Sequence, residues 1–520
     1  MPWSARCACA ACRRCSPASS AGSPRSRVPS SEPAVHFTEL DAYPLRPGEL
    51  RNWIPTTGPA ARWHDDPRDT SHVHEAHLRG AQAVLRRRHI DGGRESWLGL
   101  AVEFDEPLSI PGLRSALRAW IDRHEVLRTH VFLEDDRPRR RSAQTATVDL
   151  RIKAIGTYRS TGPLAEQLLG EFDRSTAPLT WPAYLFSTVS RDDSFTLFFA
   201  ADHSLLDGYS LILSPYELRA FYREAVHGEP PKLLPAGSYV NYSDTDRQSA
   251  DRADASHPAA RMWDEYLSET GFKPDPFPLP LLPVSAKMLA DETRAALSPD
   301  PDGVPRLVQG ALNFHLLDDD RCNNFTRVCS ESGASLVTGV LACMAKINTD
   351  LGFGPVFRCA VTRHTRDAEQ WIAALGWFVG VAPFRLDTTG TRTFGELAQR
   401  SQAAWKHSKV GSTLPYLRIG EVLADEPGRS QAPPPRFVVS FMDTRSAPGS
   451  DVNDAGGAGA LRSRDYSIDD VYLWMLRTPS GLHVAARFPG FDTARRSVTL
   501  YLGALRSLLT EIGDATVTRG

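Results

Sequence analysis

Apolar and polar residues follow strand and helix patterns along most of the chain. Apolar runs of strand length occupy residues 97–104 and 195–201, and apolar side chains recur at helical spacing after Pro111, at Leu113, Leu117, Trp120 and Ile121. After a proline-rich stretch the alternation resumes, with strands predicted at 310–317, 355–361, 437–442, 471–476 and 482–488 and helices at 335–347 and 493–512. This alternation of strands and helices predicts an α/β fold.

The chain is expected to consist of a tail and two folded parts. Residues 1–35 are mainly Ala, Ser, Pro, Arg and Cys without periodicity, which predicts a disordered tail or a wrongly assigned start. Folded sequence is predicted to begin near Phe37. Glycine and prolines between 228 and 235 mark a crossover, so we expect an N-terminal part of residues 36–235 and a C-terminal part of 236–520.

Charge and composition exclude several classes of partner. The formal net charge is −2 and the pI is about 6.7, which gives no general attraction to nucleic acid or to an anionic membrane. No apolar run approaches the ~20 residues that a spanning helix needs, so no membrane span is predicted. The 8 cysteines indicate no disulfide framework, and a reducing, cytoplasmic location is the default expectation.

The candidate chemistry centres on His203-Ser204-Leu205-Leu206-Asp207-Gly208, directly after the predicted strand at 195–201. A buried strand end is a rigid position for an imidazole, whose ordinary pKa of about 6.5 allows it to take up and return a proton near neutrality. Asp207 offers a carboxylate that holds the ring, the loop or a distant cation, and Gly208 allows a tight turn. His203 is the candidate general base; a histidine satisfied in the core is the alternative for so short a motif.

Two clusters have the residue types of metal sites without the full patterns. Residues 72–77 contain three histidines, but Ala76 occupies the position where a metallo-hydrolase of this pattern has aspartate. Cys9, Cys12 and Cys15 are followed by neither a second pair nor a Cys-Pro. No metal site is predicted.

The stretch around His203 resembles the HHxxxDG motif of the condensation-domain superfamily, which includes peptide-synthetase condensation domains and polyketide-associated (PapA-type) acyltransferases. Residues 123–129, Arg-His-Glu-Val-Leu-Arg-Thr, resemble a second family motif, and the resemblance implies that His124 and Arg128 support the fold. The first histidine of the pair is Asp202 here. Because successive strand side chains face opposite sides, we expect Asp202 to point away from the cavity and to form hydrogen bonds without replacing His203.

The resemblance covers about residues 37–512 and implies two chloramphenicol-acetyltransferase-like lobes in a V-shaped pseudo-dimer, with the active site at the lobe interface. It implies a salt bridge between Asp207 and an arginine of the second half, for which Arg363 is the matching position and Arg366 the fallback. The family's DFGWG motif, which forms a latch between the halves, is not found, whereas residues 376–383 and 440–445 resemble the PapA-type pattern. The site residues then include Gly208 beside the base and, along a substrate tunnel, Asp202, Tyr209, Trp377 and Ser440.

The implied activity is transfer of an acyl group from a thioester to a hydroxyl or amine, in lipid, polyketide or peptide natural-product biosynthesis. His203 takes the acceptor's proton, and no cofactor is bound. Since no carrier, adenylation or thioesterase module is found, the donor is expected as acyl-CoA or on a phosphopantetheine arm. The expected partners are an acyl carrier protein or a polyketide or peptide synthase module in trans, and a small-molecule acceptor; the chain is expected to be a monomer.

Two alternatives are an amide-forming, stand-alone condensation enzyme and a catalytically silent condensation-like protein that recruits a partner. The presence of both His203 and Asp207 favours an enzyme. The basic runs at 86–88 and 137–141 are candidates for docking the donor through acidic carrier residues or coenzyme A phosphates, and a solvated arginine-rich loop is the alternative.

Overall fold

The computed structural model describes residues 37–58, 63–88, 96–299, 305–425, 432–463 and 469–514, so the predicted tail at 1–35 lies outside the described residues. The strands up to residue 202 are β1 (Phe37–Glu39), β2 (Glu49–Thr57), β3 (Trp63–Asp66), β4 (Trp97–Phe104), β5 (Thr129–Glu134), β6 (Arg137–Ala143), β7 (Val148–Thr157), β8 (Tyr184–Ser190) and β9 (Phe195–Asp202). The helices up to residue 296 are α1 (His72–Arg88), α2 (Ile110–Arg123), α3 (Thr161–Ser175), α4 (Gly208–His227), α5 (Tyr239–Asp251), α6 (Pro258–Ser268) and α7 (Ala286–Ala296).

The second half continues the alternation of strands and helices. Its strands are β10 (Leu297–Pro299), β11 (Pro305–Leu307), β12 (Gln309–Asp318), β13 (Val356–His364), β14 (Val379–Asp387), β15 (Phe437–Asp443), β16 (Ala458–Arg462), β17 (Val471–Thr478) and β18 (Gly481–Pro489). Its helices are α8 (Asp319–Glu331), α9 (Leu336–Asp350), α10 (Glu369–Ile372), α11 (Phe394–Ser408), α12 (Tyr416–Ala424), α13 (Ser450–Val452) and α14 (Asp492–Asp514).

Two large sheets define the two lobes. The first has the order β1-β16-β4-β9-β8-β2-β7, and the second has the order β12-β18-β17-β15-β13-β14. A separate three-stranded sheet, β3-β6-β5, and the pair β10-β11 complete the described strands. The predicted α/β class is confirmed.

β9 and α2 show why the predicted elements form. Every residue of β9 is buried, because the strand lies between β4 and β8 inside the first sheet. α2 begins after Ser109, whose side chain accepts a hydrogen bond from Gly112 N, and Pro111 lies in its first turn, where a missing N–H costs no helical hydrogen bond. Its buried face carries the predicted apolar residues, Leu113, Leu117, Trp120 and Ile121.

A strand from the second half completes the first sheet. β16 lies parallel to β1 and antiparallel to β4, with Ala460 opposite Phe37 on one side and Leu100 on the other. The two halves of the sequence therefore share a sheet, and this strand joins the lobes although the DFGWG motif is absent. Where the chain divides into two units remains a prediction.

The apolar core continues across the lobe interface. Leu375, Phe378 and Leu476 of the second half belong to the same buried cluster as Leu205 and Leu206, which follow the candidate base. Both halves of the chain thus support the turn that carries His203.

Within the described ranges, no single helix is long and apolar enough to cross a membrane. One bent pair, α8 with α9 at 89°, meets the length and composition criteria only when the two helices are taken together.

Candidate active site

His203 lies directly after β9, as predicted, and begins a 3₁₀ turn that ends at Leu205. Its backbone N–H donates a hydrogen bond to Ser96 O at 2.9 Å. The imidazole packs against the indole of Trp377, with the ring centroids 4.2 Å apart. Nδ1 is buried without a partner on another described residue, and the residue as a whole is half-buried. Burial and then the charge of nearby His77 lower the pKa of His203.

Asp202, at the position of the family's first histidine, forms a buried pair with a histidine from α1. Its carboxylate accepts hydrogen bonds from His77 Nε2 at 3.0 Å to each oxygen, from Ser96 Oγ at 2.6 Å and from Ser204 N at 2.9 Å. Burial alone would raise the pKa of Asp202, but His77 and these hydrogen bonds outweigh it and lower that pKa. Burial would lower the pKa of His77, but Asp202 outweighs it and raises that pKa. Both shifts in pKa favour the charged forms of the two side chains.

The pair corrects one expectation for Asp202. The predicted hydrogen bonding is present, but the residue is 0% exposed, so it does not line an open substrate tunnel. A carboxylate at this position is stable only because His77, Ser96 and Ser204 supply hydrogen bonds to it inside the fold.

Arg366 is the partner of Asp207. One terminal guanidinium nitrogen, Nη2, donates to both carboxylate oxygens of Asp207, at 2.9 and 3.0 Å. The other, Nη1, donates to Trp371 O at 2.7 Å and to Ala374 O at 2.6 Å. Both side chains are buried, so this ion pair crosses the lobe interface in a region without water screening.

The assignment of Arg363 to this role is wrong. β13 does not end at 361 but continues to His364, so Arg363 lies within the strand and on the same face as Val361. That face packs against α11, where the guanidinium of Arg363 stacks on the ring of Trp405 at 3.8 Å. Arg366 lies beyond the strand end, in the loop that faces Asp207.

The remaining contacts of Asp207 fix the loop that carries Trp377. Its carboxylate accepts hydrogen bonds from Ser210 N at 2.8 Å, Ser210 Oγ at 2.7 Å and Phe378 N at 3.0 Å. Gly376 N donates to Ser210 Oγ at 3.3 Å. The backbone is therefore held on both sides of Trp377, and this places its indole against the imidazole of the base.

Gly208 is favoured by a close approach of side chains and not by a tight turn. It begins α4 without a positive φ, but a Cβ at this position would lie 3.0 Å from the ring of Phe37 and 3.4 Å from Met442 Cε. Side chains from both ends of the sequence thus approach the motif backbone.

The predicted tunnel residues differ in exposure. Tyr209 and Trp377 are half-buried, and Tyr209 lies beside the guanidinium of Arg366, 5.2 Å from its ring centroid. Ser440 is buried in β15 and, by strand alternation, shares the face of Met442, which looks toward the first lobe. The tunnel role of Tyr209, Trp377 and Ser440 remains a prediction.

His72 and His124 each pair with a carboxylate outside the cluster around His203. His72 Nε2 lies 2.7 Å from Asp251, and His124 Nε2 lies 2.6 Å from Glu217, which agrees with a supporting role for His124. Among the residues that the structure describes, no group of three or more His, Cys, Asp or Glu side chains could hold a metal ion.

Sequence reasoning did not identify His77, Ser96 or the role of Ser210. His77 lies 125 positions before Asp202, so no local spacing connects them. One partial signal was available: a carboxylate at the end of a buried, mostly apolar strand needs a hydrogen-bonding partner, but the sequence does not indicate which residue supplies it.

The comparisons with known proteins agree with this fold. The family model described as "Condensation domain" matches residues 88–444. The chain therefore belongs to the condensation-domain family, whose members share two α/β lobes arranged as a pseudo-dimer.

Within that family, the chain is an acyltransferase of the PapA type. It is 25% identical over 496 residues to acyltransferase PapA3 of Mycobacterium tuberculosis, across 91% of this chain and 98% of that protein. It is 26% identical over 485 residues to trehalose-2-sulfate acyltransferase PapA2 of the same organism, across 90% and 97% of the two chains. The solved structure of PapA2 acyl transferase matches with a TM-score of 0.77 at 23% identity, covering 92% of this chain and 99% of that one, and so has the same fold.

Proposed function

We propose that the protein transfers an acyl group from a thioester, carried by coenzyme A or by a carrier protein, to a hydroxyl of a lipid precursor, with His203 as the general base. The position of the half-buried His203 supports this most directly. It is held on Trp377 at the lobe interface, and its lowered pKa leaves it neutral, and thus able to accept a proton, near pH 7.

The reaction requires one proton transfer in each direction. His203 takes the proton of the acceptor hydroxyl while that oxygen forms a bond to the thioester carbonyl carbon. The carbon–sulfur bond then breaks, and the leaving thiolate receives the proton from the imidazolium. The products are an ester and a free thiol, and no acyl-enzyme is needed.

Asp207 acts as a positioning residue in this scheme. Its oxygens accept hydrogen bonds from Arg366, Ser210 and Phe378 N, so its carboxylate is engaged away from the reacting proton. It affects the base through the loop that places Trp377.

The named activity of one relative gives the first acceptor to test. PapA2 is a trehalose-2-sulfate acyltransferase, so trehalose-2-sulfate is a suitable acceptor, with a long-chain acyl-CoA as the donor. An amine acceptor in a parallel reaction tests the amide-forming alternative.

The test compares the wild type with His203→Ala, and His64→Ala serves as a control because His64 is exposed on β3. Free thiol release and the ester product, measured by a thiol reagent and by mass spectrometry, report the transfer. We expect His203→Ala to lose about 10²–10⁴-fold in kcat/KM, the contribution of a positioned base. An unchanged melting temperature shows that the variant is folded. Full activity in folded His203→Ala contradicts the proposal.

A further inference from the structure

A cleft in the first lobe lies between residues 65–70 and the β5–β6 hairpin and has a volume of about 640 Å³. A smaller cavity of about 20 Å³, sufficient for one water-sized group, adjoins it. Val131 and Arg140 lie opposite each other in β5 and β6 and line both spaces. The small cavity is also lined by Ser204 and Leu205. The small cavity therefore lies against the turn that begins at His203, and it shares two wall residues with the cleft at the surface.

Most of the charge around the cleft is already paired. Three carboxylates of its wall each have an arginine partner: Asp66 with Arg68 at 2.6 Å, Asp65 with Arg141 at 2.9 Å and Glu134 with Arg139 at 3.5 Å. The remaining carboxylate, Asp69, is exposed at the rim. The basic run at 137–141 lies in β6 and is a strand, not a loop. Arg139 and Arg141 in this strand are each paired with a nearby carboxylate.

Arg140 is the exception among these arginines. It is 6% exposed, and its Nη2 donates to Asp69 O at 3.0 Å and to Ser243 Oγ at 3.2 Å. No described carboxylate forms an ion pair with it, and its Nε is buried without a hydrogen-bond partner. Burial lowers the pKa of Arg140 to about 10, so it remains protonated at neutral pH. The charges of Asp66 and Glu125 oppose this shift from a longer distance, but neither carboxylate forms an ion pair with the guanidinium, so a bound anion would supply the direct contact that it lacks.

Two further buried polar atoms without partners line the same spaces. Thr70 is 3% exposed, lines the large cleft, and its Oγ1 has no partner among the described residues. His130 Nε2 is also buried without a hydrogen-bond partner among the described residues, and His130 lines the small cavity behind Arg140. These groups come from the segment before α1 and from β5, and Arg140 comes from β6. Polar groups buried in this way are normally satisfied by a bound partner.

We propose that the inner wall of this cleft binds a sulfate or phosphate group of a substrate, with Arg140 as the counter-charge and Thr70 as a hydroxyl donor. A tetrahedral oxyanion has enough acceptor oxygens for the guanidinium and the hydroxyl at once. The exposed Asp69 disfavours an anion at the rim, so the group is held at the inner wall, on the side of the cleft that leads toward His203. Anion binding at this wall does not depend on the proposed acyl transfer. Only the identity of the substrate that carries the anion rests on that proposed function.

The test is calorimetric titration of the full-length protein with sodium sulfate, and then with sodium phosphate, in chloride buffer at constant ionic strength. The variants are Thr70→Val, which removes the hydroxyl at nearly constant shape, and Arg140→Lys, which keeps the charge but removes Nε. Arg141→Lys is the matched control, because Arg141 is the neighbouring residue and is paired with Asp65. We expect each test variant to bind sulfate about tenfold more weakly or worse, the effect of losing one hydrogen bond to a charged group, and the control to bind as the wild type does.

Equal dissociation constants in the wild type and Thr70→Val, or no binding of either anion by the wild type, overturn the proposal. Thr70→Val decides the matter even if Arg140→Lys does not fold, and a melting curve checks both variants. The titration measures binding and requires no turnover. An active His203→Ala variant would therefore refute the role of His203 as general base without affecting the measured affinity for sulfate.

Competition identifies which substrate carries the anion. Coenzyme A carries phosphates and pantetheine carries none. Displacement of sulfate by coenzyme A and not by pantetheine assigns the site to the donor. Displacement by trehalose-2-sulfate and not by coenzyme A assigns it to the acceptor.

Discussion

At the scale of single residues, the main departure from the family motif is the carboxylate of Asp202. His77, from α1, places an imidazole beside this carboxylate and packs edge-on against Trp377 with ring centroids 5.9 Å apart. Trp377 in turn contacts His203. The base therefore has Asp202 and His77 beside it where the motif has its first histidine, and the pKa of His203 depends on the charges of these two side chains.

Replacement of His77 by glutamine is expected to shift the pH dependence of activity. His203 works unprotonated, so kcat/KM rises with pH through a midpoint that lies below the ordinary imidazole value of about 6.5, because burial and the His77 charge lower the pKa of His203. His77→Gln removes the charge that lowers the pKa of His203 and leaves the opposing effect of Asp202, so the pKa of His203 rises. The acidic limb should move to higher pH.

The measurement is the pH profile of kcat/KM, together with an NMR titration of the His203 imidazole, which needs no turnover. His64→Gln is the control, since His64 is exposed and lies outside this cluster. A midpoint for His77→Gln at or below the wild-type value would show that the charge of His77 does not act on the base.

At the scale of elements, the site depends on how the N-terminus of α4 is tied to the loop before β14. Asp207 caps α4 through Ser210 N and also accepts from Phe378 N and Arg366. A single carboxylate thereby fixes a helix start in one half of the chain and the loop that carries Trp377 in the other.

A double-mutant cycle should reveal this link. Asp207→Ala and Arg366→Ala each leave one buried charge without its partner, so each should cost about 3–5 kcal/mol in the free energy of unfolding. The double variant should lose clearly less than the sum of the two losses. Urea unfolding followed by circular dichroism measures these values.

The control cycle combines Asp207→Ala with Arg363→Ala, because Arg363 stacks on Trp405 and does not contact Asp207. Those two losses should add to within about 0.5 kcal/mol. Additive losses for Asp207 and Arg366 would reject the ion pair as a stabilising contact.

The elements were predictable from sequence to a greater degree than their ends. The apolar run at 195–201 and the helical spacing after Pro111 fix β9 and α2, because burial of one face determines the period. The strand predicted at 355–361 continues to His364. This extension places Arg363 inside the strand and leaves Arg366, in the loop beyond it, as the partner of Asp207. Strand ends depend on pairing with β14, a tertiary contact that local composition does not encode. The pairing of His77 with Asp202 could not be predicted either, because it is also a tertiary contact between distant parts of the sequence.

At the scale of the whole molecule, β16 and the shared core make the lobes interdependent. Leu461 of β16 is 0% exposed and packs with residues of the first lobe, although it comes from the second half of the chain. The lobes therefore cannot lose contact with each other without breaking the first sheet.

Leu461→Ala should destabilise the protein by about 2–5 kcal/mol, the cost of a cavity in a closely packed core. Leu500→Ala is the control, because Leu500 is 60% exposed on α14 and its loss should stay within about 0.5 kcal/mol. Differential scanning calorimetry measures both variants against the wild type. Equal melting temperatures for the two would contradict a structural role for the crossing strand.

The position of β16 in the first sheet also determines when that sheet can be completed during synthesis. β9 has left the ribosome once residue 202 has emerged, but its neighbour β4 lacks a partner on its other edge until residues 458–462 follow. At about 5–20 residues per second, that interval is on the order of 10–50 s. During this time β1 has no strand to pair with and β4 presents an open edge, the feature by which nascent chains associate with one another. The first sheet of this protein thus cannot be completed before residue 462 has been synthesised, and the yield in a cell depends on what protects that edge until then.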